Sequence, residues 1–203
     1  TFRPRVSRQG KPHDTVELIE AGQQKIDSAF IGSCTNGRTS DLREAARMLK
    51  GRSVAPGVVL KIVPATDKVW RQALDEGIIR IFKDAGALVS NAGCAGCAAG
   101  QVGQNGAGEV TISTGNRNFP GKQGKGDVYL ASPAVVAASA VAGHITTTDA
   151  IPDQPMEFAA QGPDENVQQT ARKSPIQEKP RILEGRVWII PRDNIDTDMI
   201  FHN

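Results

Sequence analysis

The chain has 203 residues, of which 39% are hydrophobic and 23% are charged, which suits one globular domain with an appendage. Its 24 basic and 22 acidic residues give a net charge of +2 at pH 7. Because the basic residues are dispersed, no strong electrostatic attraction to nucleic acid or to an anionic membrane is expected.

Targeting signals are the next feature to look for. No stretch approaches the roughly 18 apolar residues of a membrane span, and the first residues lack the apolar segment of a signal peptide. The expected compartment is therefore the reducing cytoplasm. The chain starts at Thr1 and stops at Asn203 just after a strand-like run, so we expect it to be a piece of a longer protein.

Strand-like and helix-like segments alternate along the first 150 residues. Strands are predicted over residues 26–32, 58–63, 87–89, 109–113 and 127–131. Helices are predicted over residues 40–50, from the cap at 66 or 67 to the residue before Gly77, and over 134–142, with 78–84 continuing the second helix. This alternation predicts the α/β class, with a parallel sheet flanked by helices and functional loops at the carboxyl ends of the strands.

The helix termini carry recognisable signals. Thr66 or Asp67 is a suitable N-cap for the second helix, and Ser132 followed by Pro133 suits the start of the last one. Apolar residues recur at helical spacing in the second helix, namely Val69, Trp70, Ala73 and Leu74. Trp70, like Trp188, is predicted to anchor the core.

The three cysteines follow predicted strands. Cys34 comes after the first strand, and Cys94 and Cys97 lie in a glycine-rich segment after the third. An iron-sulfur cluster normally takes four thiolates, so a three-thiolate site would leave one iron open to water or substrate. An open metal position indicates Lewis-acid chemistry.

Other uses of these cysteines are weighed against this hypothesis. A C-x-x-C pair also occurs in zinc and thioredoxin-like redox sites, and a fourth zinc ligand would have to come from His13, His144 or His202. His144, which follows a predicted helix end, is expected to be a surface or supporting residue instead. Three buried, inert cysteines are a further alternative, although the flanking glycines favour close approach to a bound group.

A polar loop follows the fourth predicted strand. Arg117 has the planar guanidinium that grips a carboxylate through two hydrogen bonds, and Lys122 would add a second positive charge. On these residues alone, a solvated basic loop is an equally good interpretation. Asn36 and Arg38, beside Cys34, are suited to hydrogen-bonding a cluster or a neighbouring loop, and capping of the next helix by Asn36 or Thr39 is an equally good interpretation.

Four motifs together resemble the aconitase superfamily of hydro-lyases, which includes aconitate hydratase, isopropylmalate isomerase and homoaconitase. They are Ile31-Gly32-Ser33-Cys34-Thr35-Asn36-Gly37-Arg38, Gly93-Cys94-Ala95-Gly96-Cys97, Asn116-Arg117-Asn118-Phe119 and Ala131-Ser132-Pro133. Their order and approximate spacing match those of the family. The resemblance implies that Cys34, Cys94 and Cys97 hold a 4Fe-4S cluster whose unligated iron binds the substrate.

The resemblance also implies roles for residues in the polar loop. Asn116 and Arg117 would contact substrate and cluster. Many relatives carry arginine where this chain has Lys122, and a lysine keeps the charge but loses the planar fork. The motifs look closer to the isopropylmalate enzymes, which serve leucine biosynthesis, or to homoaconitate enzymes than to aconitate hydratase.

The last fifty residues differ in composition from the rest. Residues 151–182, rich in Gln, Pro, Glu, Asp and Lys, are predicted to be a linker after an iron-sulfur domain at 1–150. Residues 183–203 resemble the start of the family's small swivel domain, in which Thr197 and Asp198 match positions that reach the active site. Without the resemblance, these two residues would be assigned to a polar turn.

The chain does not carry every group that the family's reaction needs. In the family, the base comes from the swivel domain and further acid and base partners come from upstream domains, so the expected partners are the remainder of the same polypeptide and a small carboxylate substrate. We therefore expect residues 1–203 alone to be inactive. The RNA-binding role of some relatives finds no basic groove here.

Overall fold

The computed structural model describes residues 5–8, 13–18, 20–21, 24–98, 100–115, 120–152 and 185. The chain divides into two units, Thr1–Phe158 and Ala159–Asn203, and the description below concerns the first. Predicted features over residues 153–184 and 186–203, including the swivel-domain start and Trp188, lie outside the described residues.

Alternating strands and helices form the first unit, as predicted. The strands are β1 (Arg5–Ser7), β2 (Thr15–Glu17), β3 (Ser28–Gly32), β4 (Val59–Val63), β5 (Leu88–Val89), β6 (Val110–Ser113) and β7 (Asp127–Leu130). The α-helices are α1 (Ser33–Asn36), α2 (Thr39–Leu49), α3 (Asp67–Asp75), α4 (Ile78–Asp84) and α5 (Pro133–Ala142). A short 3-10 turn, Ala95–Cys97, is called the cysteine turn below.

The described strands form one sheet in the order β2-β1-β7-β6-β3-β4-β5. Strands β3 to β7 pair in parallel, which confirms the α/β class. The strands β1 and β2 form an antiparallel pair, and β1 joins β7 in antiparallel orientation, so the sheet is mixed. The sequence did not indicate this pair, because each of its strands is only three residues long.

The two faces of β3 and β4 have different coverings. Ala29, Ile31 and Ile62 belong to the large core formed with α2, α4 and α5. Helix α5 is buried along its length, as expected for a helix that is apolar on every side. The alternate residues Phe30 and Val63 point to the opposite face and pack against Ala95 of the cysteine turn. The cysteine loop is thus part of the packed structure.

Among the described residues, no helix is both long enough and apolar enough to cross a bilayer.

The predicted start of α3 is confirmed at Thr66. Its Oγ1 accepts a hydrogen bond from the backbone N–H of Val69 at 3.2 Å. Thr66→Ala is expected to lower the free energy of unfolding by about 1 kcal/mol, because one helix N–H loses its acceptor. Urea denaturation measures this loss, with Ser53→Ala in an exposed loop as the control. Equal midpoints for the two variants would contradict the assignment.

Candidate metal centre

Both cysteine segments lie at the carboxyl edge of the parallel strands. Cys34 lies in α1, which begins directly after β3. Cys94 and Cys97 follow β5, the last strand of the sheet on that side. Helix α1 contacts the cysteine turn, so two segments that are sixty residues apart in sequence are neighbours in space. The predicted location at strand ends is confirmed.

The cysteine side chains are accessible. Cys34 and Cys94 are exposed, Cys97 is half-buried, and all three are free thiols. Buried, inert cysteines are therefore excluded as an interpretation. Accessible thiols on adjacent elements are what a bound metal group requires.

The backbone beside the cysteines adopts left-handed conformations that are unfavourable for non-glycine residues. Ser33, immediately before Cys34, has φ 71°, and Ala95, immediately after Cys94, has φ 49°. Such conformations cost about 1–2 kcal/mol each and persist only where the surrounding structure enforces them. Both bends lie next to a cysteine, so the fold enforces the direction in which Cys34 and Cys94 leave the main chain.

Two hydroxyl groups next to Cys34 have no hydrogen-bond partner among the described residues. They are Ser33 Oγ and Thr35 Oγ1, both buried. A buried polar group without a partner costs about 1–3 kcal/mol, so such groups usually indicate a missing acceptor or donor. These hydroxyls flank Cys34 in the sequence, and the donor set of three accessible thiols and two hydroxyls without a partner in the described part of the chain is chemically compatible with an iron-sulfur cluster.

A mononuclear zinc site is supported less well. In the described part of the chain, no three His, Cys, Asp or Glu side chains converge on one ion. His144 pairs with Lys25, ahead of β3 and so at the amino edge, and its Nδ1 lies 3.1 Å from the Ala142 carbonyl oxygen. His13 is exposed, and His202 lies outside the described residues. In a cluster the thiolates bind separate irons, so convergence on one ion is not needed.

Lys122 is connected to the cysteine turn through Gln104. The side-chain amide of Gln104 donates to the carbonyl oxygen of Gly96 at 2.6 Å and to that of Lys122 at 3.3 Å. Lys61 Nζ in turn donates to the Gln104 carbonyl oxygen at 3.2 Å. Lys122 itself forms no ion pair with another described residue. Its backbone is thus held near the cysteine turn while its charge is not neutralised there.

The predicted substrate residues Asn116 and Arg117 lie outside the described residues, as do Thr197 and Asp198. Thr114, two residues before Asn116, lies within the described residues. Thr114 is buried, and its Oγ1 accepts from the backbone N–H of Gly32 at 3.0 Å.

Asn36 does not cap the next helix. Its Nδ2 donates to the carbonyl oxygen of Thr114, which joins the Cys34 segment to the end of β6. The start of α2 is stabilised instead by Asp41, whose carboxylate accepts from the Arg38 backbone N–H at 3.0 Å. Of the two uses open to Asn36, the bond to a neighbouring loop is the one observed.

Gln104 and Gln123 were not identified from the sequence. A lone glutamine carries no motif, and its role here depends on loops that approach one another only in the folded chain. The glycine-rich composition of residues 93–108 was the available signal, because close backbone packing of this kind leaves side-chain amides as the bridging groups.

Comparison with known proteins agrees with these observations. A sequence model of the Aconitase family (aconitate hydratase) matches residues 6–143. Relatives described as 3-isopropylmalate dehydratase large subunit are 49% identical over 149 residues in Acetivibrio thermocellus and 55% identical over 134 residues in Campylobacter hominis. These alignments cover 72% and 65% of this chain but 36% and 32% of the relatives. The chain thus spans about a third of the length of the curated relatives it matches, and it belongs to the aconitase family.

Proposed function

We propose that this chain is the cluster-binding part of a hydro-lyase of the 3-isopropylmalate or homoaconitate type. Such an enzyme isomerises a hydroxy di- or tricarboxylate by dehydration and rehydration. The observation that supports the proposal most is the contact between α1, which carries Cys34, and the cysteine turn, which carries Cys97. The thiols of both residues are accessible, and the buried hydroxyls of Ser33 and Thr35 have no hydrogen-bond partner among the described residues. Both relatives compared above are named 3-isopropylmalate dehydratase large subunit, and these names favour the 3-isopropylmalate substrate class.

The proposed cofactor is a 4Fe-4S cluster held by Cys34, Cys94 and Cys97. When bound, it supplies an iron with an open coordination position, which acts as a Lewis acid. Ser33 and Thr35 would donate hydrogen bonds to acceptors next to Cys34. The free thiols of this site require a reducing compartment, so the cytoplasm is the proposed location.

In this proposal, three residues outside the cysteine segments bind and orient the substrate. Arg117 pairs with a carboxylate through its planar fork, and Asn116 contacts the same molecule. Lys122 contributes a positive charge that balances a second carboxylate. Holding both carboxylates fixes the carbon that loses a proton and its neighbour that loses a hydroxyl, which lowers the entropic part of the barrier.

The partners follow from the same proposal. The relatives are named large subunits, so we propose that the active site is completed by a small-subunit-like swivel domain and by upstream domains. Residues 183–203 would open the swivel domain after a linker at 151–182, with Thr197 and Asp198 reaching the substrate from it. Residues 1–150 would form the iron-sulfur domain.

Reconstitution tests this function directly. The complete protein is treated anaerobically with iron and sulfide, analysed for metal, and assayed with 3-isopropylmalate, a homoaconitate-type substrate and citrate. Iron and sulfide uptake with turnover of 3-isopropylmalate or the homoaconitate-type substrate is expected. Turnover of citrate alone would assign aconitate hydratase instead, and uptake of zinc in place of iron would contradict the hydro-lyase function.

Lys122 provides a sharper test of the carboxylate-binding part. Lys122→Ala is expected to raise KM about 10- to 100-fold, because a charge-assisted hydrogen bond contributes about 1.5–3 kcal/mol. Lys122→Arg keeps the charge and is expected to stay within a few-fold of the parent. Steady-state kinetics of the reconstituted enzyme measures both, with the exposed Lys125→Ala as the matched control. An equal rise in KM for Lys125→Ala would reduce the effect to general electrostatics.

A further inference from the structure

Gln123 lies between the cysteine turn and the end of β6. Its side chain is 3% exposed. Ser113 Oγ donates to Gln123 Oε1 at 2.8 Å, and Gln123 Nε2 donates to the carbonyl oxygen of Gly103 at 2.9 Å. One amide therefore joins the last residue of β6 to the loop that follows the cysteines.

The donor and acceptor roles in the hydrogen bonds around Ser113 are determined by the bond from Gly115. Ser113 Oγ accepts from the backbone N–H of Gly115 at 2.9 Å, so its own proton is available for Gln123 Oε1. The amide of Gln123 must then present its oxygen to Ser113 and its NH2 to Gly103. This continuous chain of bonds holds Gly115, the residue directly before Asn116.

The cysteine turn rests on the stem of the same glutamine. A Cβ added at Gly96 would lie 3.1 Å from Gln123 Cγ, so a larger residue at this position would have to displace the glutamine stem by a few tenths of an ångström. The carbonyl oxygen of Gly103 accepts the hydrogen bond from Gln123. Gly103 also packs on the Phe30 ring, since a Cβ added at Gly103 would lie 2.7 Å from that ring. Gln123 is thus in contact with the turn that carries Cys97 and bonded to the corner that precedes Asn116 and Arg117.

We propose that Gln123 is a positioning residue that fixes the cysteine turn relative to the corner formed by Ser113 and Gly115, from which the chain continues to Asn116. The inference rests on the function proposed above. Removing the amide while keeping the volume would leave the hydroxyl proton of Ser113 without its acceptor and the Gly103 carbonyl without the amide donor, both inside the protein. The turn and the corner would then move independently, which weakens both the retention of iron and the grip on substrate.

The test uses Gln123→Met, which keeps the length and loses the bonds to Ser113 and Gly103 together with any other hydrogen bond of the amide. Gln101→Met is the control in an exposed part of the same loop. Outer-shell partners of metal ligands typically contribute 10- to 100-fold, so KM per loaded enzyme is expected to rise about tenfold or more. The loss of iron in air is monitored by visible absorbance in the absence of substrate, and it is expected to be about tenfold faster in the variant than in the parent. The control should change neither quantity.

A purely structural role predicts a lower melting temperature with KM and iron loss unchanged, and that result would overturn the proposal. If Gln123→Met does not fold, Ser113→Ala replaces it, since it removes one hydroxyl from the same chain of bonds, and the same criteria apply. If the parent protein takes up no cluster, the proposed function itself fails. If the parent loads its cluster and Gln123→Met has the same KM and rate of iron loss as the parent, only this inference is overturned.

Discussion

Changing any one of Cys34, Cys94 and Cys97 to serine is expected to abolish the bound cluster and to lower turnover by about 10³-fold or more. The reason is that a Lewis-acidic metal contributes several kcal/mol to transition-state stabilisation, and each tenfold in rate corresponds to about 1.4 kcal/mol. A serine hydroxyl is a harder and far less acidic ligand than a thiol, so it does not replace the thiolate at iron. Iron and sulfide content, visible absorbance and low-temperature EPR after mild oxidation measure the loss.

Ala98→Ser is the matched control, because it adds the same hydroxyl one residue beyond Cys97 and removes no thiol. It is expected to retain cluster and activity. A cluster that persists in the Cys34→Ser variant would mean that α1 contributes no ligand, and the three-thiolate site would be wrong even if Cys94 and Cys97 bind metal.

Gly32→Ala is expected to destabilise the fold by about 3 kcal/mol or more, the largest stability effect that we predict for a single added methyl group. Gly32 has φ 154°, and an added Cβ would lie 2.2 Å from the carbonyl oxygen of Val63. Relief requires β3 and β4 to separate where Gly32 pairs with Val63, two residues before Cys34. We therefore expect cluster uptake to fall together with stability.

Gly86→Ala separates backbone strain from this close approach. Gly86 also has positive φ, 88°, but nothing lies within 4 Å of an added Cβ. Its cost is expected to be about 1–2 kcal/mol, from the left-handed conformation alone. Urea denaturation of both variants gives the comparison, and equal losses would show that the contact with Val63 relaxes at no cost.

The fold class was predictable because its signals are local. Predicted strands at 26–32, 58–63, 109–113 and 127–131 correspond to β3, β4, β6 and β7, each shortened by one or two residues. Thr66 and Gly143 mark a helix start and a helix end through capping and a left-handed φ of 80°, and these depend on neighbours in sequence. Residues 78–84 form a separate helix because Gly77 has φ 74°.

Burial within the helices was less predictable. In α3 the apolar spacing suggested a core face, yet only Ala73 is fully buried and Leu74 is 50% exposed. Trp70 is partly exposed and lies outside the main core, so its predicted anchoring role is wrong. The helix contacts α2 and α4, and the periodicity of a helix does not reveal how much of its surface neighbouring elements cover.

The candidate site also has features that the sequence predicts and features that only folding brings about. The alternating α/β pattern and the positions of Cys34, Cys94 and Cys97 after strands were predictable from chain order, because strand-end loops follow directly from it. Three features needed the folded structure: the contact of α1 with the cysteine turn, the lack of described partners for the Ser33 and Thr35 hydroxyls, and the bridging of the loops by Gln104 and Gln123. These features join residues that are far apart in the chain, and such contacts depend on how the sheet and its loops pack rather than on any local pattern.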